Sequence, residues 1–158
     1  MFSRNRSSLI MLAGLAGGFA EVLWVSLYSM MFHTGGTEIS RQITATVIPP
    51  LAQYAIAPSL GIIIHLILSV LLASGFYLLV ANSLVRYFGQ PGLVLGSGTV
   101  LAAVWLVNFF IILPIINPYF LGMLPLAVTL ISKLLFGMAM AIVLLNGLEK
   151  RAINSYSA

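Results

Sequence analysis

Residues 9–32 read LIMLAGLAGGFAEVLWVSLYSMMF, an apolar run broken by one carboxylate, Glu21, near its middle. Apolar runs of about 18 residues or more have the length needed to cross ~30 Å of hydrocarbon. Arg4 and Arg6 precede the run, residues 9–20 form an apolar core, and Phe19-Ala20 supplies a small-residue end. That order resembles a secretory signal peptide. The apolar character continues past Glu21 to Phe32, however, so the expectation is a retained span and not a cleaved leader.

Three more runs of this kind follow at about 60–85, 93–113 and 126–148. Of 158 residues, 61% are hydrophobic and only 6% charged, and the mean hydropathy is +1.11. Soluble domains carry roughly 25% charged residues, so a water-soluble fold of this composition could not clothe its own surface. Four spans use about 90–100 residues, which leaves too little for a second, soluble domain. The expected architecture is an all-α integral membrane protein. Residues 1–158 form a single membrane domain, a four-transmembrane-helix bundle with spans at about 9–32, 60–85, 93–113 and 126–148.

Proline and glycine mark the boundaries between spans: Gly35-Gly36, Pro49-Pro50, Pro58, Gly89, Pro91-Gly92, Pro114, Pro118 and Pro125. If the spans alternate, Arg4, Arg6, Arg86, Lys150 and Arg151 fall on one side and Arg41 on the other. By the positive-inside rule both termini and the turn 86–92 face the cytoplasm of a bacterial inner (plasma) membrane. The same scatter of basic residues at span ends explains the sequence pI near 9.8 without a nucleic-acid partner.

The two outer connections are unusual. Within residues 33–59, Ile39, Ile43 and Val47 recur every four residues, with Glu38, Arg41 and Gln42 elsewhere around the circle. This pattern predicts a short amphipathic helix over about 37–48, capped by Thr37 and stopped by Pro49-Pro50, lying as an interfacial helix on the outer side. The second connection, 114–125, holds Ile115, Ile116, Tyr119, Phe120, Leu121 and Met123 and no charge. Such a loop is expected to dip into the headgroups or to be covered by another protein. Trp24 and Trp105 take comparable places in spans one and three, and Pro58 and Pro125 precede spans two and four, a weak sign of duplicated hairpins.

The chain has no Cys and no Asp. Disulfides, thiolate metal sites, Fe–S clusters and a Ser/His/Asp set are therefore excluded. Gly96-Ser97-Gly98 lies inside a span and matches neither a phosphate loop nor a nucleophile elbow.

Chemistry is concentrated in four polar residues inside spans: Glu21, His65, Asn108 and Lys133, one per helix. An ionisable group at mid-bilayer costs about 3 kcal/mol on insertion scales, so it needs a partner or a function. At ~1.5 Å of rise per residue all four fall at or outside the midplane. Each shares its helix face with small residues: Gly14, Gly17 and Gly18 with Glu21, Ser69 and Ala73 with His65, Gly98 with Asn108, Gly137 with Lys133. Small residues let helices approach closely, so the four are expected to form one buried polar cluster, with Gly14, Gly17, Gly18, Gly98 and Gly137 as helix-packing positions.

Several uses of such a cluster are open. Glu21 and Lys133 can pair simply to hold the bundle together. Glu21 and His65 can exchange protons along a path, given water access from one face. Weaker readings are a haem between His33 and His65, a quinone head on His65 near Trp105 or Tyr119, and a metal held by His33, Glu38 and His65. No cofactor and no metal is assigned from these patterns. The leading functional expectation is a non-catalytic accessory subunit of a larger membrane complex such as a respiratory oxidoreductase, in contact with other integral membrane subunits and the lipid bilayer. The alternative is a small oligomeric proton-coupled transporter or proton-conducting protein using the Glu/His/Lys cluster.

Overall fold

The fold is given by a computed structural model that describes the backbone of residues 2–156 and the side chains of residues 6–147. Arg4, Leu148, Lys150 and Arg151, which carry part of the charge asymmetry and the end of the fourth run, lie outside the described side chains. Among the described residues every regular element is helical. Arg6–Phe32, Ala57–Ile116 and Leu126–Gly147 are each long and apolar enough to cross a membrane.

Helix α1 (Phe2–Phe32) ends where His33 and Gly35 take positive φ, 53° and 71°. Helix α2 (Gly36–Val47) follows at once. The sequence predicted Thr37 as its cap; instead Gly35 holds the N-cap position in the left-handed region, with no side-chain cap. Glu38 in the first turn lies where the helix dipole favours an anion. The helix stops at Ile48, which is pushed out of the α region because Pro49 follows it. A short 3-10 turn, Pro49–Leu51, leads on toward α3.

Helix α3 (Ala57–Phe76) starts earlier than its apolar run because Pro58 fits the first turn, where no N–H is needed. It passes through a π turn (Tyr77–Ala81) into α4 (Asn82–Val107). Inside α4 the helix breaks at Gly89, with φ 67° and ψ −159°, a region essentially restricted to glycine. The chain folds back there. Leu93 shares a core cluster with Tyr77 and Ala81, and Gly96 packs on Leu84. A straight helix would hold residues 77 and 93 about 24 Å apart. The predicted seven-residue turn 86–92 is thus a reversal at one glycine, with Pro91 taking the proline-tolerant start of the returning arm.

The returning arm also runs farther than the sequence predicts. After Val107 come a π turn (Asn108–Ile112) and α5 (Leu113–Ile116), so Pro114 sits within continuous helix. The i→i+5 pattern of the π turn loosens the ladder that a proline would otherwise clash with. It also suits a four-residue spacing of buried groups, Leu93, Ser97, Leu101, Trp105, Phe109 and Leu113, which a regular 3.6-residue helix would rotate off one face. The 3-10 turn Pro118–Gly122 then leads to α6 (Leu126–Tyr156).

Helix α1 lies between α3 and α6, and α6 also packs on α4. The predicted packing glycines differ in how much they matter. A Cβ added at Gly14 would lie 2.6 Å from the Val70 Cα, so α1 and α3 meet backbone to backbone there, and one at Gly18 would lie 2.6 Å from the Ser69 Oγ. Gly17 faces the Phe136 ring. Gly137 faces the Ser97 carbonyl, and Ser97 Oγ in turn lies 3.0 Å from the Gly137 carbonyl oxygen. Gly98 is different: its nearest neighbour, Leu134, would be 3.8 Å away, an ordinary contact with no demand for a glycine.

The core has two ends. Near Gly89, Phe76, Tyr77, Leu93, Phe136, Met140 and Leu144 fill the space between the helices. At the other end α2 packs on α3 as a roof. Thr44 Oγ1 donates to the Ala57 carbonyl at 2.6 Å, and Gly61 lets the Ser40 carbonyl pass directly over α3. Ile39 packs with Leu124 and Val128. Asn117, from the second connection, donates to Gln42 Oε1 at 3.1 Å and to Thr46 Oγ1 at 2.9 Å. That connection is therefore partly covered by its own chain: Phe120 and Leu121 pack on the Trp105–Phe109–Leu113 cluster. Ile115 and Tyr119 stay 78% and 66% exposed.

Candidate functional site: a buried ion pair at the end of a lateral cavity

The two arms of the 57–116 run meet near their turn and diverge toward the roof. Between them, α1, α6 and the roof lies a cavity of about 250 Å³. Its walls are mostly apolar, with Val25, Ile39, Ile43, Leu72, Phe109 and Phe120 among them. Val47, Ile62 and Leu68 line it and are also 47%, 38% and 46% exposed, so they form a rim facing out of the bundle.

Glu21, His65, Asn108 and Lys133 all line this cavity. Three of them are in contact. Lys133 Nζ is 2.7 Å from Glu21 Oε1 and 2.8 Å from Oε2. The Glu21 side chain is about nine-tenths buried. Ser132 Oγ lies 3.1 Å from Glu21 Oε1 and 2.7 Å from the Thr129 carbonyl, so its single proton is divided between them. His65 Nε2 approaches Glu21 Oε2 only to 3.5 Å, too far for a good hydrogen bond. It is the buried side-chain polar atom left without a partner among the described residues. Asn108 borders the same space without a hydrogen bond to the other three.

The pair is held in place from both sides. Trp24 of α1 donates its indole N–H to the Val128 carbonyl at 3.0 Å. Trp105 of α4 donates to Thr129 Oγ1 at 2.9 Å. The two tryptophans thus grip adjacent residues of α6, one turn before Ser132 and Lys133. Ser132 is the contributor that sequence reasoning missed. It follows Thr129 by three residues, and that short hydroxyl stripe beside Lys133 was the available signal.

Other sequence candidates are kept apart. His33 is exposed and does not reach the cavity. Glu38 is engaged by Arg41 at 3.2 Å and by Gln42 at 2.8 Å. Among the described residues no three His, Cys, Asp or Glu side chains gather to hold a metal ion. Tyr119 and Trp105 do not line the cavity that His65 faces.

Chemically the site is a compensated ion pair with spare capacity. Lys133 has three N–H groups and the Glu21 oxygens engage two of them. His65 Nε2 is buried beside Glu21 without a hydrogen-bond partner. Comparison with protein-family models, with curated proteins and with solved structures finds no match for the chain.

Proposed function

We propose that this protein is a small four-span membrane carrier that admits an amphipathic solute through the rim and engages it at Glu21, His65 and Lys133. The observation that carries this reading is the cavity itself: an apolar chamber, open at Val47, Ile62 and Leu68, that ends on a buried ion pair. A pair serving only to hold helices together needs no such access. Pockets with apolar walls and a few convergent polar groups are typical ligand sites. In this reading residues 57–88 and 90–116 are separate spans and both termini are cytoplasmic. The roof of α2 and the 117–125 connection lies on the outer side of a bacterial-type inner membrane. In this reading Arg6 and Arg86 fall on the cytoplasmic side and Arg41, in the roof, on the outer side, an excess of basic residues inside as the positive-inside rule expects. The role assigned to the cluster is binding and proton exchange, with no catalytic residue.

Proteoliposomes with a trapped pH-sensitive dye test it. Wild-type protein is expected to dissipate an imposed proton gradient at least about tenfold faster than the Glu21→Gln/Lys133→Met double variant. Equal rates in the two would remove proton exchange from the role of the cluster.

One observation favours a second reading, an accessory subunit of a larger membrane complex. Met30, Met31, Ile115 and Tyr119 leave large apolar surfaces exposed at or near the roof, where a partner subunit would cover them. Purification in mild detergent separates the two: a stable companion protein supports the subunit reading, and a chain that runs alone removes it.

A further inference from the structure

We infer that a second, smaller pocket, beside the Gly89 turn, binds the phosphate group of an anionic phospholipid through Arg86 and Asn82. The inference uses the reading of residues 57–88 and 90–116 as separate spans and is independent of the carrier role.

Register is the first argument. In an α-helix residues four apart stand on one face, and across a π turn residues five apart do. Tyr77 opens the π turn, Asn82 follows it by five residues, and Arg86 follows Asn82 by four. The three polar residues therefore share one stripe of the first arm. Leu93 of the returning arm and Leu144 of α6 close the space beside that stripe, leaving a pocket of about 190 Å³. This is below the ~300–1,000 Å³ of typical small-molecule pockets, so it suits a headgroup and not a whole solute.

Charge and free hydrogen-bonding capacity are the second. The two carboxylates with described side chains are both engaged, Glu21 by Lys133 and Glu38 by Arg41. Arg86 makes no ion pair among the described residues. Its guanidinium lies 5.8 Å from the Tyr87 ring centroid, a contact that orients the cation without neutralising it. Arg86 and Asn82 are both exposed, so a ligand reaches them without opening the core. The planar fork of an arginine matches two phosphate oxygens, and the amide of Asn82 can donate to a third. A phosphodiester brings the single negative charge that Arg86 lacks. A choline or ethanolamine head would bring a cation as well, and no carboxylate lines this pocket to receive it.

Position is the third. Leu78 and Leu79, next to Tyr77, are 70% and 80% exposed and offer an outward apolar surface for acyl chains. Tyr87 and Phe88, at the turn, are 71% and 69% exposed, and aromatic rings at span ends mark the headgroup level. Basic pockets between membrane helices hold anionic lipid heads through this combination.

Native mass spectrometry of the full-length protein, released from a neutral detergent, tests the assignment with dioleoyl phosphatidylglycerol, dioleoyl phosphatidylcholine and inorganic phosphate. Phosphatidylglycerol is expected to form a saturable adduct, at least about tenfold tighter than phosphatidylcholine. Arg86→Gln is expected to weaken that adduct about tenfold and Asn82→Leu about fivefold, the losses that go with a charge-assisted and a neutral hydrogen bond. Both positions are exposed, so neither variant disturbs the core. Arg6→Gln removes an exposed charge that lines neither pocket and is expected to leave binding unchanged. Equal affinity for the two lipids, wild-type binding by Arg86→Gln or Asn82→Leu, or a loss in Arg6→Gln as large as in Arg86→Gln overturns the site. Displacement of the lipid by an equal concentration of inorganic phosphate overturns the lipid as its source. Proton flux is read separately, so each of these results leaves the carrier reading standing.

Discussion

Lys133→Met alone is expected to destabilise the protein by about 3–5 kcal/mol, the typical cost of removing one partner of a buried ion pair. Glu21 is the reason. Its side chain is about nine-tenths buried, and Lys133 touches both of its oxygens. With the ammonium gone, the carboxylate keeps only Ser132 and a distant imidazole. The Glu21→Gln/Lys133→Met double variant is expected to recover to within about 1–2 kcal/mol of wild type, since replacing both members of a buried pair with neutral groups of similar volume is often tolerated. Equilibrium unfolding in mixed detergent micelles measures both. A double variant as unstable as the single one would show that the pair stabilises through something other than mutual charge compensation. The recovery also makes the double variant a valid control for the proton-flux experiment, because a folded protein lacking both charges isolates their role.

The second large effect is expected at Gly61. A Cβ there would collide with the Ser40 carbonyl and come within 3.1 Å of Thr44 Oγ1. The obstacle is backbone, so no side-chain rotation relieves it. Gly61→Leu is expected to lift α2 off α3, with an overpacking cost of about 1–3 kcal/mol or more. Losing the Thr44–Ala57 hydrogen bond adds roughly 1 kcal/mol. The absence of cysteine allows a direct readout. Ile39 is only 5% exposed beneath the roof, so Ile39→Cys becomes a unique reporter. Its labelling by a water-soluble maleimide is expected to rise at least about tenfold when Gly61→Leu is added. Unchanged labelling would mean that α2 is held by contacts other than the one through Gly61.

These two sites divide sharply in how visible they are from sequence. Glu21 and Lys133 announce themselves: a charge in an apolar run is expensive, so each implies an opposite charge, and there are few to choose from. Gly14, Gly17, Gly18 and Gly137 were likewise readable from their spacing, and each sits at a close helix contact. Gly61 gave no such signal. It lies at the start of an apolar run, three residues after Pro58, where a glycine reads as a boundary residue. Gly98 carried the same sequence signal as the others but meets only an ordinary contact with Leu134. Spacing says which residues share a face; it does not say what that face meets.

The path of the chain shows the same limit. Proline and glycine marked some borders, such as Gly35 and Pro49, but not others. Pro114 is inside a helix because a π turn precedes it, and the turn predicted at 86–92 shrinks to Gly89 because one glycine-only conformation can reverse two helices.

By itself, then, the sequence determined that this chain is helical, apolar enough to cross a membrane, and obliged to compensate Glu21. Those conclusions follow from solvation: unpaired charge and bare backbone are too costly in hydrocarbon for other solutions. Only the tertiary structure decided that His65 Nε2 is left without a partner, that Asn108 borders the same cavity as the pair, and that α2 and Asn117 close a roof over it. Those facts depend on how far apart helices settle, which is set by contacts between residues distant in sequence. The carboxylate in residues 9–32 was the legible half of the site, and the space beside it was the half that folding had to create.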